Sequence, residues 1–262
     1  MSANEPGQPP LDHSRARYDE WTHNLTSPRV ALAIGAHPDD VEFGCGGTLA
    51  KWAASGATIH HLVLTDGSKG TWNVSADTAL LVQRRQAEQR EAARRLGATG
   101  EVRFISAVDG ELAHNPTMVD AVALTIRQLK PNVVLSHDPW KRYRLHPDHR
   151  NAGLIVCDAI VAARDPHFLR HHMEEHSVVH HRPDALLLWE ADEPNHVEDV
   201  SKWVDIKLAA LEAHESQFES TMKTAPDGDL TEFRNRMSDR LAALGSPHGL
   251  AAAEIFHLID KL

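Results

Sequence analysis

The chain has 262 residues, 42% of them hydrophobic and 24% charged, which suits one sizeable globular core. Its formal net charge of −10 argues against a nucleic-acid partner, which needs a basic face, and gives anionic membranes nothing to attract. No apolar run approaches the roughly 20 residues of a membrane span, and residues 1–10 lack the charged and apolar regions of a signal peptide.

The two cysteines, Cys45 and Cys157, lie far apart in apolar, helix-like patterns. They read as buried free thiols in a reducing cytoplasm. With no cysteine cluster, any metal must be held by histidine and carboxylate. Spacing has to pick out the few that matter from 19 histidines.

Residues 1–27 are rich in proline and polar groups and read as an extended lead-in, with Trp21 docking on the body. Residues 28–262 read as one domain. The run Val30-Ala31-Leu32-Ala33-Ile34-Gly35 is apolar throughout, the mark of a strand buried on both faces. It runs into His37-Pro38-Asp39-Asp40. Pro38 cannot donate to a ladder and biases His37 away from helix, so the strand stops there. A helix over 41–55 carries Leu49, Trp52 and Ala53 on one face, and Gly56 ends it. A strand over 58–64 leads into the loop 65–71. Then come a helix over 77–96 closed by Gly97, a strand over 102–105, a helix over 117–129 stopped before Pro131, and a strand over 132–136.

A second polar cluster follows: His137-Asp138-Pro139-Trp140, Tyr143, then His146-Pro147-Asp148-His149. Helical pattern resumes over 149–163. Segment 164–183 holds six histidines and many charges, and reads as a solvated arm without a metal role. A strand over 185–189, a further strand over 196–200 and a helix over 202–218 capped by Ser201 come next. The tail, 227–262, reads as mostly helical, covering one edge of the site. Strands alternating with helices at this spacing mean βαβ units and a parallel sheet. Right-handed crossovers make it a Rossmann-like three-layer α/β fold with a C-terminal helical extension.

Both polar clusters fall at carboxyl ends of strands, where open α/β sheets bind ligands. His37 and Asp40 are three apart where a loop enters a helix, so their side chains can converge. His149 opens another helix after another strand of the same sheet. Two histidines and one carboxylate leave coordination positions open for water and substrate, as in a catalytic zinc site. Non-haem iron uses the same set, so these ligands alone leave zinc and iron both open. A dinucleotide site is the rival on such a fold. It needs glycines directly after the first strand, where this chain has Asp39, Asp40 and Glu42, which repel phosphate. Gly44, Gly46 and Gly47 come later and better serve close helix–sheet packing.

The two clusters resemble the signature motifs of the PIG-L/LmbE-like family of zinc-dependent N-deacetylases. Thr65-Asp66-Gly67, the Arg85…Glu88…Leu96-Gly97 pattern, Asp109-Gly110 and His214-Glu215-Ser216-Gln217 match in order, so the resemblance covers 30–217. The stretch from Asp138 to Arg150 is most similar to the diacetylchitobiose deacetylase branch. The resemblance implies hydrolysis of an N-acetyl group on a glucosamine-type sugar or its conjugate. It makes His37, Asp40 and His149 the zinc ligands and Asp39 the general base. It puts His146 opposite, as oxyanion stabiliser or acid toward the leaving amine, with Asp148 orienting it, and it gives Arg85 a sugar contact. Trp140 and Tyr143 are candidates for stacking on the sugar. Another zinc amidohydrolase acting on a sugar–thiol or antibiotic conjugate is a second reading, and a non-catalytic metal-dependent binding module a third. The module is disfavoured because Asp39 and His146 are not needed merely to hold metal. The family likeness and exposed helix faces point to a homo-oligomer.

Overall fold

A computed structural model describes residues 20–224 and 229–262. One sheet of eight strands organises it: β1 (Thr22–His23), β2 (Val30–Gly35), β3 (Thr58–Thr65), β4 (Val102–Ala107), β5 (Val133–His137), β6 (Ala185–Trp189), β7 (His196–Asp199) and β8 (Ala253–Ile259). Their order is β1-β7-β8-β6-β5-β2-β3-β4. All neighbours are parallel except β8, which runs antiparallel to both β6 and β7.

The apolar run of β2 is continuous because both its faces are covered. Leu32 and Ile34 pack with Leu62, Val134, Ile155 and Leu188 on one side. Ala31 and Ala33 pack with Val41, Leu49, Trp52, Leu135 and Leu187 on the other. The first side is closed by α3 (Pro116–Leu129) and α4 (Pro147–Arg164). The second is closed by α1 (Asp40–Ala54), α2 (Thr78–Arg95) and α6 (Val204–Leu211). The small residues of α1 serve that packing: a Cβ on Gly47 would stand 2.9 Å from Val200 Cβ, and one on Gly44 would enter the Trp189 ring.

The chain leaves β2 toward β3 and β4 on one side, then returns to pair β5 on the other side of β2. That reversal is a topological switch point, and it opens a crevice at the carboxyl ends of β2 and β5. Both polar motifs stand at this crevice.

Three expectations need correction, while the described part of the lead-in is extended, with Trp21 docked as expected. The tail is not mostly helical: after α7 (Thr231–Gly245) it forms β8, which enters the sheet between β6 and β7. The lead-in contributes β1 at the sheet edge, with the Trp21 ring 4.8 Å from that of His248; residues 1–19 lie outside the described residues. The helix expected over 202–218 ends at Leu211, and a short 3₁₀ turn, Glu215–Gln217, follows. The histidine-rich arm folds back as α5 (His171–His176) and buries His172 completely. Arg127, itself buried, ties that arm down by donating to the carbonyls of Ala162, Asp165, Phe168 and Leu169. No described helix is long and apolar enough to cross a membrane.

Candidate metal centre and catalytic crevice

The turn after β2 is held from within. The His37 N–H donates to Asp40 Oδ2 at 2.7 Å and the Asp40 N–H to His37 O at 3.3 Å. This brings Asp40 under the His37 ring, with His37 Nδ1 3.3 Å from Asp40 Oδ2. His149, in the first turns of α4, arrives from the other strand. Its Nε2 lies 3.2 Å from His37 Nδ1 and 3.2 Å from Asp40 Oδ1.

The two Asp40 separations run to different oxygens, Oδ2 toward His37 and Oδ1 toward His149. Tetrahedral ligands about 2.0–2.2 Å from zinc stand roughly 3.3–3.6 Å apart, close to what is seen. The proton arrangement agrees at His37. Its Nε2 faces Asp148 Oδ2 at 3.0 Å and Asp109 Oδ1 at 3.2 Å. A proton donated there leaves the Nδ1 lone pair free, the carboxylate–histidine arrangement that usually supports a metal ligand. At His149, Arg144 Nη1 stands 3.3 Å from Nδ1, while the same guanidinium holds Glu190 Oε2 at 2.9 Å.

Other trios of histidine and aspartate are also close enough to hold a metal: His37/His146/His149, Asp40/His137/His149, His37/Asp109/Asp148 and Asp120/His171/His172. In two of these trios a histidine is already held through its Nδ1 by a side chain that can only donate. Trp189 Nε1, which can only donate, gives its proton to His137 Nδ1 at 3.1 Å. His137 Nε2 accepts the Ala36 N–H at 3.4 Å and lies 3.1 Å from Asp40 Oδ2. Burial drives the His137 pKa down to about 4, against the pull of Asp40, so it stays neutral. The same logic applies to the arm. Arg127 Nη1 donates to His172 Nδ1 at 3.3 Å, so Nε2 carries the proton and faces Asp120 at 3.2 Å.

Asp39 lines the same cavity as His37, Asp40 and His149 and adopts a left-handed conformation, with φ of 106°. Its N–H donates to Gln89 Oε1 at 2.9 Å, and its carbonyl accepts the Phe43 N–H at 3.1 Å. Such backbone strain is typical of functional positions. Its carboxylate is 3.4 Å from Arg85 Nη2. Burial pushes the Asp39 pKa up to about 6; Arg85 opposes this and neighbouring Asp40 reinforces it. Asp40 goes the other way. Burial would raise it, but His149 and His137 hold it well below the usual carboxylate range. Burial also works against the protonated form of His37, yet Asp109, Asp148 and Asp40 together hold its pKa well above the ordinary value.

His146 stands across the crevice, its ring 4.7 Å from that of His37 and stacked on His149 at 4.6 Å. Burial, then His37 and His149, lower its pKa. Asp148 meets it through the main chain: the Asp148 N–H donates to His146 Nδ1 at 3.3 Å. The Asp148 carboxylate is spent elsewhere, on His37 and on the N–H groups of Gly110 (2.6 Å) and Leu112 (3.1 Å). Its orienting contact therefore falls on His37.

The ligand and base candidates line one cavity of about 540 Å³, with Asp109, His137, His146, Arg85 and, from α7, Arg240. Arg85 is 3% exposed and donates to Gly67 O (2.9 Å) and Pro38 O (2.6 Å), so it braces the loops that carry Asp39. Trp140 lies in a different hollow, with Asp138, Arg142 and His257, and Tyr143 projects 92% exposed. Neither is among the residues lining the catalytic cavity. The aromatic rings that do line it are Phe43, Trp72 and Trp189. Asp109 and Gln89 took no site role from sequence. Asp109-Gly110 was visible as a family feature; nothing in the sequence marks Gln89.

Residues 32–160 match the PIG-L family, described as GlcNAc-PI de-N-acetylase. The chain is 35% identical over 194 residues to a diacetylchitobiose deacetylase from Thermococcus kodakarensis, covering 72% of this chain and 70% of the relative. It is 31% identical over 243 residues to a 1D-myo-inositol 2-acetamido-2-deoxy-alpha-D-glucopyranoside deacetylase from Rhodococcus opacus, covering 78% and 75%. Among solved structures, the N,N'-diacetylchitobiose deacetylase from Pyrococcus horikoshii superposes with a TM-score of 0.80 at 26% identity, covering 89% of this chain and 84% of that one.

Proposed function

We propose that this chain, which belongs to the PIG-L family of N-deacetylases, hydrolyses the N-acetyl group of a glucosamine-type sugar or its conjugate, with one zinc ion held by His37, Asp40 and His149. The observation that carries this reading is the convergence of three side chains: His37 Nδ1 and His149 Nε2 lie 3.2 Å apart, and the two Asp40 oxygens meet them at 3.3 and 3.2 Å, with Asp39 next in the chain. Held by these three residues, zinc would supply polarisation of the amide carbonyl and a water whose pKa is lowered to roughly 7. Everything else falls to the chain's own residues.

Asp39 takes the proton of the attacking water. A carboxylate held near pKa 6 is ionised at neutral pH and still basic enough for that work. Arg85 keeps it ionised and fixes its loop. His146 faces the carbonyl oxygen from the opposite side, where its ring N–H stabilises developing negative charge; losing one such donor typically costs about 100- to 1000-fold in rate. The proton that Asp39 has taken from the water then passes to the departing nitrogen. Asp148 acts at one remove, orienting His37 and pinning the 110–112 main chain.

Residues 28–262 act as one domain around the single sheet, to whose edge the lead-in adds β1. Cys45 and Cys157 are both free, in keeping with a cytoplasmic enzyme, and the chain works as a homo-oligomer, checked by sedimentation velocity. The test of the activity is mass spectrometry of acetate released from a panel of N-acetyl sugars by zinc-loaded and iron-loaded protein. Acetate from glucosamine-type substrates with zinc is expected. No acetate from any member of the panel contradicts the reading.

A further inference from the structure

At about 540 Å³ the catalytic cavity has the size of pockets that take a whole drug-sized ligand, more than an acetamide and the ring bearing it require. Part of its wall is the loop after β3, and that loop is tied down. The Gly70 N–H donates to Gly67 O at 3.2 Å and the Thr71 N–H to Lys69 O at 2.9 Å. The Gly70 carbonyl accepts from Gln217 Nε2 at 3.0 Å and Ser220 Oγ at 3.3 Å. A side chain at Gly70 would collide with the Arg85 guanidinium. The Asn73 N–H returns to Thr71 Oγ1 at 3.1 Å.

This fixed loop presents Trp72 on the cavity wall with 77% of its surface exposed. An indole left so bare forgoes the burial that makes aromatic side chains valuable. Thr71, Gln217, Ser220 and Thr221 line the same cavity with neutral hydroxyl and amide groups. A flat apolar face with hydrogen-bonding groups around it is what recognises a pyranose: its C–H face meets the ring, and its hydroxyls reach the edges.

We propose that Trp72 is the platform of a second sugar-ring subsite. The ring bearing the acetamide sits in the crevice, and the next ring of a disaccharide or ring conjugate stacks on the Trp72 indole. This rests on the deacetylase reading above. The substrate is then a glycoside of at least two rings, and Trp72 sets that preference without touching the reacting atoms.

Steady-state kinetics of zinc-loaded Trp72→Ala and Trp72→Phe on N-acetylglucosamine and on di-N-acetylchitobiose test it. At an exposed loop position neither change endangers folding. Trp72→Ala raises KM for the disaccharide about 10-fold, leaves kcat within about twofold and leaves the monosaccharide constants unchanged. Trp72→Phe recovers most of the loss. Calorimetric titration of the disaccharide into Asp39→Asn protein, with and without Trp72→Ala, reads the same loss with turnover suppressed. An unchanged disaccharide KM, or an equal loss on both sugars, overturns the platform. A wild-type protein that releases acetate from neither sugar overturns the deacetylase reading and the platform with it.

Discussion

Helix α1 carries two groups of buried charge, one at its first turn and one at its kink, and they are built oppositely. The kink falls at Cys45, where φ is −147°. There Glu254 of β8 accepts the Gly47 N–H (2.9 Å), the Thr48 N–H (2.8 Å) and the Thr48 hydroxyl (2.6 Å), capping the resumed helix. Lys207 answers it at 2.5 Å and also donates to Phe43 O at 2.8 Å. One cation meets one anion, and their hydrogen bonds are made within the fold. At the first turn, by contrast, Asp39, Asp40, Asp109 and Asp148 crowd against His37, His137, His146 and His149. Their pKa values are driven apart, Asp39 up and Asp40 down. A closed ion pair holds a fold together, whereas unbalanced charge held in a crevice marks a place where a cation and a reaction belong.

Breaking the closed pair has the largest expected effect on the fold. Lys207→Met leaves Glu254 buried without its partner and costs about 3–5 kcal/mol of stability. Urea unfolding measures this, and metal content is unchanged in the folded fraction. In the crevice, Asp40→Asn weakens metal binding by at least about 10- to 100-fold, since it removes a ligand rather than a supporting group. Competition with a chromophoric chelator reads the loss.

The smallest effect has the opposite sign. Asp39→Asn raises the stability of the metal-free protein by about 1 kcal/mol, as removal of a strained functional group commonly does. The sign follows from linkage. A carboxyl held at about 6 in the fold binds more protons than in the unfolded chain, so wild-type stability falls as pH rises through that interval. The advantage of Asn is therefore full above about pH 6 and absent below about pH 4. Thermal melts of both proteins across that range measure it. If Lys207→Met and Asp39→Asn shift stability in the same direction, the contrast between the two groups collapses.

The crevice was legible because its signals are local. A both-faces-buried strand running into His37-Pro38-Asp39-Asp40 announces itself, as does a second strand followed by His146-Pro147-Asp148-His149. Parallel pairing followed from alternation alone. What escaped depends on partners distant in sequence. β8 is one short strand whose place between β6 and β7 is set by pairing with Leu186–Trp189 and His196–Asp199, and not by its own pattern. His137 is held through its Nδ1 by Trp189, 52 residues on. His172 is buried by Arg127 of α3. Trp140 and Tyr143 are candidate sugar platforms because they neighbour the second motif, whereas only the fold shows that Phe43, Trp72 and Trp189 are the rings lining the catalytic cavity.

The division of labour between the two adjacent aspartates is the centre of this account. Its most direct test is a paired determination on zinc-equilibrated Asp39→Asn protein: bound metal by elemental analysis, and acetate released from di-N-acetylchitobiose. The account predicts about one zinc per chain together with turnover lowered by at least about 100-fold, the low end of what a positioned general base supplies. Loss of zinc from Asp39→Asn, or full turnover with zinc retained, would contradict it.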